Sequence, residues 1–477
     1  MLTGCSAADR PSDDRAATTE ERPPAGRADD SEEGPDSGDF NGDGYDDYVT
    51  VVHSESRDEK RTKDTLLVVY GSRKGLNRSW TTRVTGDFQH LLRTDLNSDG
   101  FTDLVSARVR GAGTRQRART VAMFGGARGL RGPRALDVPE GFSPKATGDF
   151  DGDGETDLFD TGSGVRGEAD SAPSARTGGA SARIVYGPVG PADEKAHKRR
   201  REPVSPEVSQ HGYAAPTGAA AGDFDADGRT DLVLTYSYDA EQDDSAPADL
   251  TPVAFYRGVE RGLARDRGVE RALREALGGD QDGPRAPAVG DADGDGVDDL
   301  LMPLALSVSY AEQKAGKGGG VGVLYGARSG LGTGKRASRI TEGRNARFGD
   351  SPAVGDVNGD DRPDIVVNTP DYRRHDGLVT LLPGGPDGPS AKGAQEIDAR
   401  TKGLPGTPNP HRWNAFHTQP PLLDTNGDGH DDAVVFVPLY NHRKGAFLQI
   451  PGSSKGFAPA RARQFTPTDV GVPLRLR

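Results

Sequence analysis

Cysteine and long apolar segments are the features that this 477-residue sequence most clearly lacks. Its one cysteine, Cys5, excludes an internal disulfide. No apolar run approaches the ~18 residues that a membrane-spanning helix needs. Only 33% of the residues are hydrophobic, whereas glycine (66) and proline (34) are frequent. This composition favours many short strands and turns over long helices.

Positive charge is also in short supply. The chain has 60 Lys and Arg residues against 73 Asp and Glu residues, which gives a formal net charge of -13. Such a balance argues against a nucleic-acid partner. Much of the acidic excess is concentrated in short loops, and these loops carry most of the information in the sequence.

The N-terminal segment has two interpretations. Residues 2–5, Leu-Thr-Gly-Cys, resemble the lipobox at which bacterial lipoprotein signal peptides are cut and the cysteine is lipidated, but the basic and apolar regions expected before it are missing. Either the sequence begins inside a longer signal peptide, or Cys5 is an incidental thiol of a cytoplasmic protein. Residues 6–37 are polar and rich in Pro, Ser, Asp and Glu, so we expect residues 1–37 to form a lipobox-like start and a disordered linker.

A nine-residue acidic motif recurs seven times in residues 38–477, and its copies begin 54 to 74 residues apart. Each copy precedes a short apolar strand, such as YVTVV after the first. The copies are DFNGDGYDD (39–47), DLNSDGFTD (95–103), DFDGDGETD (149–157), DFDADGRTD (223–231), DADGDGVDD (291–299), DVNGDDRPD (356–364) and DTNGDGHDD (424–432).

A second motif, a strand that ends in a glycine-containing turn, alternates with the first. Its copies include LLVVYGSRKGL (66–76) and VGVLYGARSGL (321–331). Four antiparallel strands per ~60 residues, repeated seven times, predict an all-β fold: a seven-bladed β-propeller of four-stranded antiparallel blades spanning residues 38–477. Only the polar linker precedes the first acidic motif, so blade 1 lacks an inner strand. We therefore predict that the C-terminal tail, residues 470–477, supplies this strand and closes the ring.

The spacing of the acidic motif predicts a calcium site. Oxygen-bearing side chains at positions 1, 3, 5 and 9, a backbone carbonyl at position 7 and a turn-forming glycine at position 6 resemble the oxygen shell that calcium prefers. Asx turns alone would explain one such loop, but not seven with the same acidic positions. Magnesium is disfavoured because it keeps several waters and rarely takes an all-protein cage. Up to seven Ca²⁺ ions would change the formal charge from -13 to -13 + 14 = +1.

The predicted metal ligands occupy the same five positions of each loop. They are Asp39, Asn41, Asp43, Tyr45, Asp47, Asp95, Asn97, Asp99, Phe101, Asp103, Asp149, Asp151, Asp153, Glu155, Asp157, Asp223, Asp225, Asp227, Arg229, Asp231, Asp291, Asp293, Asp295, Val297, Asp299, Asp356, Asn358, Asp360, Arg362, Asp364, Asp424, Asn426, Asp428, His430 and Asp432. Loop 356–364 is the weakest candidate, because Asp361 replaces glycine at position 6.

The loops and the "VYGSxxGL" strands resemble FG-GAP (VCBS) repeats, which form the seven-bladed propeller of integrin alpha chains and of many bacterial surface proteins. RFGDSPAVGDVNGDDRPDIVVNTP (347–370) matches the pattern best, although its "GAP" element is reduced to NTP. The resemblance implies an extracellular, calcium-binding propeller. It says little about the ligand, because the family's ligand contacts come from variable loops.

The sequence contains no recognisable catalytic set, and we expect no enzymatic activity. GSSKG (452–456) and GSGVRG (162–167) match catalytic or nucleotide-binding patterns by letter but lack the required structural context. His411, Trp413 and His417 could line a face, although packing on an inner strand is the favoured interpretation.

Three functions stay open. The first is a surface-tethered adhesion module for a protein or glycan ligand, with membrane contact only through a lipid on Cys5 and no nucleic-acid partner. The second is the propeller of a carbohydrate- or lipid-active extracellular enzyme. The third is a structural surface protein without a specific ligand.

Overall fold

The computed structural model describes residues 38–54, 64–110, 117–161, 182–193, 201–203, 214–238, 253–277, 287–304, 319–334, 337–341, 347–417 and 421–472. These residues form an all-β propeller of seven small antiparallel sheets, each with three or four strands. The chain builds one sheet at a time, and hydrogen-bonded neighbours within each sheet are consecutive in sequence. The prediction of a seven-bladed β-propeller is therefore confirmed.

The blades comprise the following strands. Blade 1 contains β1 (Tyr48–Val52), β2 (Thr65–Val69) and β3 (Thr81–Thr85). Blade 2 contains β4 (Asp87–Thr94), β5 (Asp103–Arg110), β6 (Arg117–Phe124) and β7 (Arg131–Ala135). Blade 3 contains β8 (Ala146–Gly148), β9 (Asp157–Asp160), β10 (Arg183–Val185) and β11 (Arg201–Pro203). Blade 4 contains β12 (Ala214–Gly222), β13 (Asp231–Tyr238), β14 (Val253–Val259) and β15 (Gly262–Arg265).

The remaining three blades follow the same pattern. Blade 5 contains β16 (Ala288–Gly290), β17 (Asp299–Pro303), β18 (Gly320–Leu324) and β19 (Ser338–Thr341). Blade 6 contains β20 (Asp350–Gly355), β21 (Asp364–Asn368), β22 (Val379–Leu382) and β23 (Gln395–Ile397). Blade 7 contains β24 (Ala433–Val437), β25 (Ala446–Ile450) and β26 (Arg463–Phe465).

Helices are few among the described residues. Helix α1 (Arg267–Leu277) follows blade 4 and buries Val269 and Leu273 between blades 4 and 5. Two turns, Tyr372–His375 and Tyr440–Arg443, contain residues with left-handed backbone angles, and two 3₁₀ turns lie at Pro459–Arg461 and Pro467–Val470. None of the described helices has both the length and the apolar character needed to cross a bilayer.

Residue size explains the order of the strands in a blade. The first strands of neighbouring blades contact one another around the centre, and β8, β12 and β16 are rich in Ala and Gly. The second and third strands are mostly buried and apolar, and β21 and β22, in which Ile365 pairs with Leu382, are fully buried. They are buried because sheets pack against them on both sides.

Seven hydrophobic clusters hold the ring together, one at each interface between neighbouring blades. The cluster between blades 7 and 1 contains Tyr48 and Val69 from blade 1 and Val434 and Phe447 from blade 7. Each fully buried large apolar side chain contributes roughly 1.5–3 kcal/mol to the stability of the fold. The interface between blades 7 and 1 is therefore stabilised by burial of apolar side chains, as the other six interfaces are.

The predicted inner strand of blade 1, residues 470–477, lies mainly outside the described residues, and the described part, residues 470–472, forms no strand. Blades 1 and 7 have three strands in the described chain, and no described strand pairs with the free edge of β1. Val470 ends a 3₁₀ turn, and its carbonyl accepts a hydrogen bond from Arg83 Nη1 in blade 1 (3.2 Å). Arg83 lies on β3, the last strand of its sheet, whereas Val470 and Val472 share a hydrophobic cluster with Tyr48 and Val52 of β1. Residues 473–477 lie outside the described residues.

Repeated backbone contacts also join the two ends of the ring. In three interfaces, an amide of the glycine turn bonds to the carbonyl at position 2 of the preceding acidic loop, as Gly126 N does to Phe40 O (3.0 Å). Ser72 N bonds to Thr425 O across the chain ends in the same way (3.1 Å). The interface between blades 7 and 1 therefore repeats the internal interfaces.

Candidate metal centre

All seven acidic loops lie at one face of the propeller, which we call the loop face. Each loop joins the first two strand positions of its blade, and the glycine turn that joins the third and fourth lies beside it. The opposite face carries the other hairpins and the connections between blades. The predicted ligands are thus grouped loop by loop into seven separate sites, and not into one.

Positions 1 and 5 shape each loop through side-chain to backbone hydrogen bonds. The carboxylate at position 1 accepts the amide of position 6 in all seven loops, at 2.7–2.9 Å. The carboxylate at position 5 accepts the amide of position 7, at 2.9–3.2 Å. Each oxygen has a second lone pair, so these bonds are compatible both with a bound cation and with a plain Asx turn.

Position 6 requires a left-handed backbone. The six glycines there have φ between 76° and 85°, and Asp361 in loop 356–364 has φ 59°. Asp361 N still donates to Asp356 Oδ2 at 2.9 Å. Loop 6 therefore keeps the shape of the others, because Asp tolerates left-handed angles better than most residues.

The position 9 carboxylate has a structural role that the sequence did not reveal. It is at most 1% exposed in every loop. One oxygen accepts the amide of the first glycine in the adjoining turn, at 2.7–3.1 Å in all seven blades. In four loops the other oxygen accepts the amide of position 2, at 2.8–3.2 Å. Position 9 thus clamps the loop to the glycine turn, which explains why the two motifs alternate.

Three loops bring carboxylate oxygens close enough for one ion. The groups are Asp149, Asp151 and Asp157; Asp223, Asp225 and Asp227; and Asp291, Asp293 and Asp295. Within each group the candidate ligand oxygens lie within 4.8 Å of one another. Two oxygens bound to the same Ca²⁺ at about 2.4 Å lie at most about 5 Å apart, so the spacing fits this ion.

Two further observations bear on this fit. In loop 4, the Oδ1 atom of Asp225 is buried and accepts no hydrogen bond from the described residues, which suits a metal ligand. The other four loops carry Asn at position 3, as Asn41 does in loop 1, so they offer an amide oxygen in place of a third close carboxylate. Several acidic clusters of this protein could therefore hold a metal ion.

Loop 4 also contains a competing cation. Arg257, an extra residue before the glycine turn of β14, forms an ion pair with Asp225 through Nη1. Its Nη2 lies 3.5 Å from Asp266 Oδ2. Arg257 supplies positive charge where the other loops have none from this position, so we expect loop 4 to hold calcium less tightly than loops 3 and 5.

Burial raises the pKa of the position 9 carboxyls in the absence of a cation. The pKa rises to about 8 for Asp47 and Asp157 and to about 7 for Asp103, Asp231 and Asp299. The main cause is burial, and the carboxylates at positions 1, 3 or 5 of the same loop add to it. A bound cation would counteract this rise in pKa, because it favours the charged form of the carboxylate.

In a chelator, we expect the free energy of unfolding to fall as the pH rises from about 5 to 8. The position 9 carboxyls bind protons up to pH 7 or 8 when folded but only to about pH 4 when unfolded, so the folded state holds more protons in this interval. Stability decreases with pH wherever the folded state holds more protons. Thermal midpoints at pH 5, 6.5 and 8 test this, with calcium expected to flatten the slope. A midpoint that rises with pH in chelator would contradict it.

The side chain at position 8 connects neighbouring loops, a role that was not predicted from the sequence. Asp298 Oδ2 accepts the amide of Asp223 in the preceding blade (2.8 Å), and Thr230 Oγ1 accepts the amide of Asp149 (3.0 Å). Asp46 does the same for Asp424 across the chain ends (2.8 Å). The clue was present in the sequence, because six of the seven copies have Asp or Thr at this position.

The remaining predicted residues have three different outcomes. Ser453 of GSSKG bonds to Gly456 O at 2.7 Å, as Ser72 does to Gly75 O, so this segment is a glycine turn as expected. Trp413 is not packed on an inner strand: it lies on the connection between blades 6 and 7 and is 55% exposed, so that interpretation was wrong. Cys5, the predicted linker and the GSGVRG segment lie outside the described residues.

Comparisons with known proteins bear on the fold and on the repeat. The FG-GAP repeat model matches residues 348–382, which contain the sixth acidic loop. No curated protein matches the sequence. Among solved structures, a rhamnogalacturonan lyase of Bacillus licheniformis is 11% identical with a TM-score of 0.32, and the match covers 82% of this chain and 80% of the lyase.

Two other solved structures are similarly distant. The rhamnogalacturonan lyase YesW is 13% identical with a TM-score of 0.29, covering 86% of this chain and 67% of its own. The exotype rhamnogalacturonan lyase YesX is 10% identical with a TM-score of 0.31, covering 88% of this chain and 76% of its own. The chain therefore contains an FG-GAP repeat, and its seven blades fit the propeller suspected from the FG-GAP family.

Proposed function

We propose that this protein is a calcium-stabilised, extracellular binding module that recognises a protein or glycan through the face opposite the acidic loops. The seven loops supply the scaffold, because they join the strands within each blade and the blades to one another. FG-GAP propellers are typical of extracellular proteins, which supports this location. Attachment of the protein through a lipid on Cys5 stays a prediction from the sequence.

The observation that carries the binding function is the exposure of Trp413. It is 55% exposed and is the only large hydrophobic side chain that is exposed among the described residues. Its indole ring lies 4.8 Å from the imidazole ring of His375, with the two planes tilted by 43°. An exposed indole offers a flat apolar surface to the C–H face of a sugar ring or to an apolar side chain of a protein.

A buried polar network holds the surface around Trp413 in place. Asn414 and Asp376 are fully buried, and Asn414 Nδ2 donates to Asp376 Oδ1 at 2.5 Å. The amide of Ala415 bonds to His375 O at 3.1 Å, which joins the two segments directly. A binding surface supported in this way loses little conformational entropy when a ligand binds.

The backbone near Trp413 is strained in a way that is common at functional sites. Arg373, Arg374, His375, Arg412 and Trp413 all have φ between 46° and 67°, although none is glycine. Such angles cost of order 1–3 kcal/mol each and persist only where the surroundings enforce them. The strain presents His375 and Trp413 together at the surface.

We expect Trp413→Ala to weaken ligand binding at least tenfold without lowering the thermal midpoint by more than about 2 °C, because an exposed side chain contributes little to folding. The measurement is a glycan and surface-protein array in calcium, followed by titration of each hit. Tyr45→Ala is the matched control, an aromatic residue on the loop face. Equal binding by the Trp413 variant would contradict the proposed surface, and release of a cleaved product would favour an enzyme.

A further inference from the structure

Blade 2 holds four arginines in two directly opposed pairs. On the hairpin of β5 and β6, Arg108 lies opposite Arg119, and Arg110 lies opposite Arg117. Residues two apart on a strand point to the same side, so all four guanidinium groups extend from one face of the hairpin. Like charges directly opposite each other destabilise a sheet.

Neighbouring acids neutralise the arginine pairs only in part. Within the described chain, Arg110 and Arg119 form no ion pair. Arg117 lies 3.4 Å from Glu140, but both side chains are more than 80% exposed, so this pair contributes little. Arg108 is half-buried, its Nη2 donates to Thr85 O at 2.9 Å, and burial together with Arg110 lowers its pKa.

A cavity of about 680 Å³ lies against this hairpin. The four arginines line one side of it, and the connection to blade 3 lines the other with Leu136, Pro139 and the carboxylates of Asp137 and Glu140, so the lining carries four positive and two negative charges. Among the described residues no aromatic ring lines it, so they offer no stacking surface for a nucleobase. It lies at the end of β5 away from the acidic loop, and hence on the face opposite the candidate metal centres.

We propose that this cavity binds an acidic polysaccharide through its carboxylate or sulfate groups. The planar guanidinium fork matches such oxyanions with two parallel hydrogen bonds. The two arginine pairs lie about 7 Å apart along the strands, which suits two charged groups on neighbouring sugars better than one small anion. The volume is in the range of ordinary ligand pockets of about 300–1,000 Å³.

This inference rests on the proposed binding function and names a ligand class for it. The formal net charge is -13 without metal, so the arginine cavity is a local exception to the charge of the chain, and bound calcium would reduce the repulsion of a polyanion by the rest of the surface. Recognition would therefore be local and sensitive to salt. The arginine cavity and the surface around Trp413 lie on different blades, so variants of one leave the other intact.

The test uses the full chain with Arg110→Gln and Arg119→Gln combined, which removes one arginine from each pair. Arg128→Gln is the matched control, an exposed arginine at the loop face of the same blade. Binding is titrated with oligogalacturonate, dextran sulfate, neutral dextran and inorganic polyphosphate. We expect wild type to bind at least one of the two acidic glycans, the double variant to lose at least tenfold in affinity, and the control to behave as wild type.

A second readout keeps the proposal testable even if affinity is low. Without ligand, we expect the double variant to have a higher thermal midpoint than wild type, because like-charge repulsion is relieved. Arg110→Lys with Arg119→Lys, which keeps the charge but not the fork, should lose about threefold in affinity for the bound glycan. Unchanged glycan affinity in the Gln variant, or a preference for polyphosphate over both glycans, would overturn the inference.

The outcomes also separate this inference from the proposed function. If Trp413→Ala abolishes binding while the arginine variants bind normally, the binding function stands and the arginine site is wrong. If wild type binds no glycan or protein on any array, the binding function fails. The acidic-glycan titrations test the arginine site independently of that result.

Discussion

Calcium at 10 mM is expected to raise the thermal midpoint of this protein by about 10 °C over the midpoint in a chelator. At a dissociation constant of about 1 mM, typical of extracellular modules, each site contributes about 1.4 kcal/mol, and seven sites contribute about 10 kcal/mol. For a chain of this length the unfolding entropy is roughly 1 kcal/mol per degree, so a stabilisation of about 10 kcal/mol corresponds to a rise of about 10 °C in the thermal midpoint. Differential scanning calorimetry measures this shift.

Magnesium at the same concentration is the matched control for ionic strength and divalent charge. We expect it to raise the midpoint by less than half as much, because it retains waters and demands a stricter geometry. A calcium shift equal to the magnesium shift would show that the loops respond to charge screening alone. No shift in either salt would contradict a role for these loops in metal binding.

Replacement of the position 9 aspartate in blade 5, Asp299→Ala, is expected to lower the free energy of unfolding by about 2–4 kcal/mol, even in a chelator. Asp299 is fully buried and accepts the amides of Gly326 (2.7 Å) and Ala292 (2.8 Å). Both amides would lose their acceptor in a place that water does not reach, at about 1–3 kcal/mol each. Relief of the buried charge offsets part of this cost. Urea unfolding at pH 7 measures the difference.

The matched control for Asp299→Ala is Asp293→Asn at position 3 of the same loop. Asn occurs naturally at position 3 in four of the seven loops, so we expect less than about 1 kcal/mol of change in a chelator. In calcium, the difference in the free energy of unfolding between the two variants should be smaller, because Asp293→Asn removes a charged ligand. If Asp299→Ala is harmless in chelator, position 9 does not clamp the glycine turn.

Much of the fold could be predicted from the sequence because its repeats are local. A glycine turn and an acidic loop carry their own turn chemistry, and the apolar strand between them can only be buried by a neighbouring blade. The pairing of Ile365 with Leu382 follows from this order. Seven copies then fix the number of blades.

Closure of the ring could not be predicted in the same way, because it depends on contacts between residues at opposite ends of the chain. Nothing in the local pattern indicates that Ser72 N meets Thr425 O, or that Asp46 accepts the amide of Asp424. These contacts repeat the internal interfaces, which becomes visible only once the blades are assembled. The sequence suggested a donated strand because it showed only that blade 1 was one strand short.

The sequence identified the acidic loops as the candidate site but did not reveal the separate structural role of position 9. Spacing predicted five ligand positions within each loop, whereas the two hydrogen bonds that Asp299 accepts, from Gly326 N and Ala292 N, depend on the packing of the glycine turn against the loop. The surface around Trp413 was missed for a related reason. Its exposure follows from the left-handed turn and the buried pair Asp376 and Asn414, neither of which leaves a periodic pattern in the sequence.

The central claim is that the acidic loops are calcium sites that stabilise the blades. It is tested most directly by diffraction from crystals of this protein grown in 10 mM calcium, with anomalous differences collected at a long wavelength. The account predicts anomalous peaks within the acidic loops, strongest in loops 3 and 5, each surrounded by oxygens of positions 1 and 3, by an oxygen of position 5 or 9, and by the carbonyl of position 7. Well-ordered loops without such peaks, at a calcium concentration that saturates a 1 mM site, would contradict it.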